Sequence, residues 1–171
     1  MKYKKILIIL LSLIIIGCTN NKLNKETFKQ EYEKYNSTKI KLEIEKNNII
    51  EYVSKAEINK IIKSKTGVIF IGTPQDNLSR VSIKLLLEAA DSTDLDKIYY
   101  ISSLDKIENL DTIDNIKIPL VLFILKGKII DYNIGTINDK IELSDNEQID
   151  LYNKYLDGIH KVLQDTCDEE C

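Results

Sequence analysis

One short run constrains the fold of this chain more than any other. Val68-Ile69-Phe70-Ile71 is apolar at every position and does not alternate. A strand with one wet face alternates apolar and polar side chains, so this run belongs to the centre of a sheet covered on both faces. Gly72-Thr73-Pro74 then turns the chain. The spacing of Leu78, Val81, Leu85, Leu86 and Ala89 predicts a helix over about 77–91 that buries those side chains and exposes Arg80, Lys84 and Glu88. Ile98 to Ile101 reads as another apolar strand. Covered strands separated by helices indicate the α/β class, a central mixed sheet flanked by helices.

The flanking segments extend this pattern. Ile40-x-Leu42-x-Ile44 alternates as a half-buried strand does, Asn47-Asn48 marks a turn, and Ile49 to Val53 is a further strand. Ser54-x-x-Glu57 is a capping box that opens a helix to about Lys63, with Ile58, Ile61 and Ile62 on its buried face. Residues 104–115 are acidic and loop-like, with room for a helical turn around Ile107 to Leu110. Pro119 begins the next strand, and Lys126-Gly127-Lys128 turns it into a partner ending at Gly135. A second capping box, Ser144-x-x-Glu147, opens a final helix with a stripe of Ile149, Tyr152, Leu156, Ile159 and Leu163.

The N-terminus speaks to location. Lys2, Lys4 and Lys5 precede an apolar run from Ile6 to Ile16, broken only by Ser12. A membrane span needs about 20 such residues. The shorter run fits the apolar region of a signal peptide over residues 1–17. It ends at Ile15-Ile16-Gly17-Cys18, which resembles the bacterial lipobox, where a cysteine is acylated and the chain is cut before it. A plain secretory signal is the alternative. The resemblance implies lipidation at Cys18 with two acyl chains of the palmitate kind, which is what stable anchoring takes. The expected location is the extracytoplasmic face of the cell membrane. Residues 18–38 would be a tether, although Phe28, Tyr32 and Tyr35 fall at helical spacing and also suit a short helix packed on the domain.

Removing residues 1–17 takes the formal net charge from −3 to about −6. An acidic surface offers no footprint for nucleic acid and no basic patch for anionic lipid. Nucleic acid is therefore not an expected partner.

The order strand, helix, strand, hairpin, helix over residues 39–164, with Gly72-x-Pro74 before the long helix, Ile118-Pro119 before the hairpin and Gly135 after it, resembles the thioredoxin superfamily. Leu85-Leu86-Leu87-Glu88-Ala89-Ala90, Lys97-Ile98-Tyr99-Tyr100 and the cysteine-bearing C-terminus are similar to small thioredoxin-like lipoproteins and bacteriocin-transport accessory proteins of Gram-positive bacteria. Enzymes of the superfamily carry Cys-x-x-Cys where the long helix begins. The helix N-terminus stabilises the attacking thiolate, and the second thiol resolves the mixed disulfide.

This chain has Asp76-Asn77-Leu78-Ser79 at that turn, which sets Asp76 and Ser79 at the two cysteine positions. Neither can exchange disulfides. Asp76 suits a helix N-cap, with an acid–base role as the alternative. Ser79 has no neighbouring histidine to activate it, since the single histidine, His160, lies in the final helix. The resemblance also implies a cis Ile118-Pro119 bond, beside which the active enzymes pair with an extended substrate peptide. A cis proline has a structural use as well. A surviving groove could bind a peptide by strand pairing without chemistry.

Cys167-Asp168-Glu169-Glu170-Cys171 holds the remaining thiols, in an expected tail over residues 165–171. An exported setting permits a disulfide, although so short a ring gains little through chain entropy. Two other uses are open. A redox-active pair would have to work against acidic neighbours that raise thiol pKa. A metal site with His160 has three ligands where a closed zinc site takes four. The expectation is a disulfide, with no metal and no cofactor.

Three functions fit. The first is a membrane-anchored, extracytoplasmic thioredoxin-like module without the redox motif, which binds an exported polypeptide or a membrane-protein partner and is not an enzyme. The second is a thiol–disulfide oxidoreductase using Cys167 and Cys171. The third is a surface lipoprotein with no groove. An exposed apolar surface around Pro74, Leu78 and Pro119 would favour the first over the third.

Overall fold

A computed structural model describes residues 26–169, except 39–40, 46–47, 105–106, 109, 111–112, 114, 136 and 139–140, with backbone alone for 137–138, 141–142 and 165–169. Helix α1 covers residues 26–33. Strand β1 (Ile50–Tyr52), helix α2 (Lys55–Ser64), strand β2 (Gly67–Ile71), helix α3 (Asn77–Ser92) and strand β3 (Ile98–Ile101) follow. Strands β4 (Leu120–Leu125) and β5 (Lys128–Ile134) come next. The short β6 (Ile137–Asn138) and β7 (Ile141–Glu142) lead to helix α4 (Asp145–Glu169).

The sheet order is β1-β3-β2-β4-β5-β6-β7. β1 and β2 run parallel to β3, β4 is antiparallel to β2, and β5 is antiparallel to β4. A parallel pair bridged by α3 and continued by an antiparallel hairpin is a thioredoxin-like α/β fold with a mixed sheet. Within β2, Val68 and Phe70 enter a core shared with α1, α3 and α4, while Ile69 and Ile71 enter a second core under α2. All four are 0% exposed, which is why the run cannot alternate. β4 repeats the device with Val121 and Phe123 on one side and Leu120, Leu122 and Ile124 on the other. Each such side chain contributes about 1.5–3 kcal/mol through burial.

Both capping boxes form. The Ser54 N–H donates to Glu57 Oε2 at 2.8 Å and the Glu57 N–H returns to Ser54 Oγ at 3.3 Å. The Ser144 N–H donates to Glu147 Oε2 at 2.8 Å, with the return bond at 3.4 Å. Gly127 turns the β4–β5 hairpin at φ +74°, and a Cβ there would strike the Lys63 carbonyl.

Four expectations need correction. The first concerns residues 26–38, placed in a tether, which belong to the domain. Phe28 and Tyr32 are both 0% exposed and stack at 4.4 Å, and Phe28 meets Tyr100 edge-on at 5.0 Å. Two rings of this size supply too much apolar area to leave in water. The second concerns the alternating 41–45 segment, which has Leu42 and Ile44 buried but forms no strand and pairs with none among the described residues. Side chains of α1 and the turn after it take its backbone groups instead. Asn36 bonds both the N–H and the carbonyl of Leu42 at 2.9 Å, Glu33 Oε1 accepts the Ile44 N–H at 2.9 Å, and the Lys29 ammonium donates to the Ile44 carbonyl.

The third correction is an exchange on α3. Arg80, expected outside, is 1% exposed, and Leu78, expected inside, is 49% exposed. The Arg80 guanidinium lies under the chain that follows α1, donating to the Tyr32 carbonyl at 2.5 Å and to Asn36 Oδ1 at 2.7 Å. The fourth concerns the expected tail, which α4 crosses in helical conformation as far as Glu169. Among the described residues, no helix is long and apolar enough to cross a membrane.

Candidate functional site

The candidate site is the turn between β2 and α3. Asp76 is the N-cap of α3, with extended backbone at φ −88° and ψ 125°. Its Oδ2 accepts two bonds from Ser79, one from the N–H and one from the hydroxyl, each 2.7 Å long. The Ser79 oxygen in turn accepts the Thr73 N–H at 3.2 Å. Asp76 therefore satisfies a donor that every helix start leaves open, and the carboxylate sits where the helix dipole favours negative charge. Ser79 is 0% exposed with its proton committed to Asp76, an arrangement that holds a turn closed and offers no nucleophile.

The floor of the turn is equally tight. A Cβ on Gly72 would lie 2.6 Å from the Phe70 ring and 2.9 Å from Ser79 Oγ, so only glycine fits. The Tyr100 hydroxyl, from β3, donates to the Gly72 carbonyl at 2.9 Å, and burial pushes its pKa up to about 12. One turn along the helix, burial also lowers the pKa of Arg80, yet guanidinium stays charged at any physiological pH.

Pro119 faces the same turn. The Ile118–Pro119 bond is cis, the Pro119 carbonyl accepts the Gly135 N–H at 2.9 Å, and the next residue, Leu120, pairs in register with Ile71. Leu78 Cδ1 comes within 3.7 Å of where a Cβ on Gly135 would stand. The fold thus brings Asp76, Leu78, Ser79 and Pro119 together. Pro74 and Pro119 are themselves buried. The apolar surface at the site is instead Leu78 with Tyr35, which is 38% exposed and accepts a bond from Gln75 Nε2 at 3.3 Å. Those are two of the three large apolar side chains exposed among the described residues, and both border this turn. Tyr35 was visible in the sequence only as part of a helical spacing. Its place beside Gln75 comes from the fold.

The cysteines stand apart from this site in the sequence. Cys167 falls within the helical backbone of α4, its side chain lies outside the described residues, and so do Cys18 and Cys171. His160 is half-buried on α4. Among the described residues, no group of three or more His, Cys, Asp or Glu is placed to hold a metal ion.

No family model matches the chain and no curated protein is similar to it. Among solved structures, thioredoxin O2 from Arabidopsis thaliana, in its oxidised state, is similar to it at 14% identity and a TM-score of 0.42, over 55% of this chain and 88% of that one.

Proposed function

We propose that this protein is a lipid-anchored, extracytoplasmic binding module of the kind found among Gram-positive thioredoxin-like lipoproteins. It holds an extended polypeptide at the exposed rim of Leu78 and Tyr35 and carries out no disulfide exchange there. One observation carries the reading: the turn where an exchange enzyme presents a thiolate is closed by Asp76 and Ser79, while Leu78 and Tyr35 stay exposed on either side of it. An apolar rim with no reactive group suits binding without chemistry. The anchor in this reading is Cys18, supported by the Gly17-Cys18 junction after the apolar run.

The test uses a carboxymethylated, permanently unfolded protein with its lysines succinylated as probe, followed by fluorescence anisotropy. Leu78→Asp should abolish binding and leave the urea midpoint unchanged, and equal binding by the variant would sink the reading. Metabolic labelling with palmitate checks the anchor: label should be lost on Cys18→Ser. Disulfide reductase activity that disappears in a Cys167→Ser, Cys171→Ser double variant would transfer the function to the C-terminal pair.

A further inference from the structure

A second surface lies along the other half of α3. We propose that the free edge of residues 41–45 takes an extended, lysine-bearing polypeptide segment as an added strand. In an extended chain the backbone groups of successive residues point to opposite edges. Those of Leu42 and Ile44 point at α1 and its turn, where Asn36, Glu33 and Lys29 satisfy them. By that alternation those of Lys41 and Glu43 fall on the other edge, and neither bonds another backbone group among the described residues. The edge ends where the Glu45 carbonyl accepts the Asn48 N–H at 3.2 Å.

That open edge borders a groove of about 750 Å³ between the segment and α3. Leu42, Ile44, Ile49, Leu87, Ala90 and Leu95 supply the apolar half of its lining, and charged and polar side chains supply the rest. An unpaired edge beside an apolar floor is a template for strand addition, in which backbone bonds supply affinity and alternate side chains enter the floor. Charge selects the occupant. The rim lysines are already paired, Lys41 with Glu43 at 2.5 Å and Lys84 with Glu88 at 3.6 Å. Glu45, Asp91 and Asp94 line the same groove with no ion pair among the described residues. A strand alternating apolar residues with lysines matches both the floor and the rim.

The probe is a labelled eight-residue peptide alternating lysine and valine, added to the full chain in detergent micelles and followed by anisotropy. Binding is expected, and an alternating glutamate–valine peptide should not bind. Glu43→Pro removes the inner N–H of the edge and should weaken binding at least about tenfold, while Glu43→Gln should change it less than about threefold. Should the proline variant fail to fold, the lysine–valine peptide N-methylated at every residue serves with the unaltered chain. It keeps the charge and the side chains but has no N–H to offer, and it should bind at least about tenfold more weakly. Leu78→Asp should leave this binding intact, which separates the edge from the face beside Pro119. The proposal is overturned if the parent peptide does not bind, or if it binds equally after Glu43→Pro or full N-methylation. Self-association of the chain that Glu43→Pro abolishes, without peptide binding, would give the edge to a second copy and overturn it too.

Discussion

The two ends of α3 treat their polar groups in opposite ways. At the N-terminal end, Asp76, Ser79 and Thr73 bond one another, and Tyr100 secures the Gly72 carbonyl behind them. Along the C-terminal half, the facing 41–45 segment has one edge filled by side chains of α1 and the turn after it, and the other borders a groove. The closed end spends its hydrogen bonds on the fold. The open end keeps them available, and a backbone donor left beside apolar surface is affinity waiting for a partner. The two ends can therefore be broken separately by mutation.

The largest effect should come from α1, which with the turn after it supports both ends through Tyr32, Glu33 and Asn36. Phe28→Ala removes a fully buried ring stacked on Tyr32 and should cost about 3–5 kcal/mol in urea unfolding. A residue on a solvated tether would cost less than about 0.5 kcal/mol. The smaller value would detach α1 from the domain and with it the support of the open edge.

Next is the closed end. Asp76→Ala removes the cap and the acceptor for the Ser79 hydroxyl, and should cost about 1–2 kcal/mol. Asp76→Asn keeps an acceptor oxygen and should lose only a few tenths. If the two variants are equally harmful, Asp76 acts through its charge, and the reading of a cap that works by accepting hydrogen bonds fails.

Much of this was legible in the sequence, for a physical reason. Val68–Ile71 and Ile98–Ile101 announce covered strands by composition alone, and Ser54 and Ser144 announce helix starts because a cap is a local device. Asp76 was readable as a cap in the same way. What escaped depends on a third layer. Helical spacing says which side of α3 is drier, but not that the chain after α1 would cover Arg80 and leave Leu78 in water. Alternation in 41–45 correctly marks Leu42 and Ile44 as buried. It carries no information about what takes their backbone groups, and side chains of Glu33 and Asn36 took the place of a neighbouring strand.

Glu33 makes the filled edge sensitive to acid. Burial opposes its charge, but the Ile44 N–H and the Lys29 ammonium outweigh that and hold its carboxyl below the usual glutamate value of 4.5. A depressed folded pKa means stability that is full above the unfolded value and lost as pH falls through the folded one. The half-exposed pair limits the effect to less than about 1 kcal/mol. Urea midpoints measured from pH 6 down to pH 3 should fall more steeply for the native chain than for Glu33→Gln. Parallel curves would show that the carboxylate adds nothing beyond an acceptor.

The smallest effect on stability should be at Leu78, where the two ends differ most in what a substitution does. Its side chain is 49% exposed and lies over Gly135, with Cδ1 3.7 Å from where a Cβ there would stand. Leu78→Asp therefore exchanges little buried area and should shift stability by less than about 0.5 kcal/mol. It also adds a negative charge to the first turn of α3, beside the Asp76 cap, where the helix dipole favours it. A loss well above 1 kcal/mol would mean that Leu78 packs against more than the described contacts. The apolar rim would then belong to the core, and the closed end would have nothing left to offer a partner.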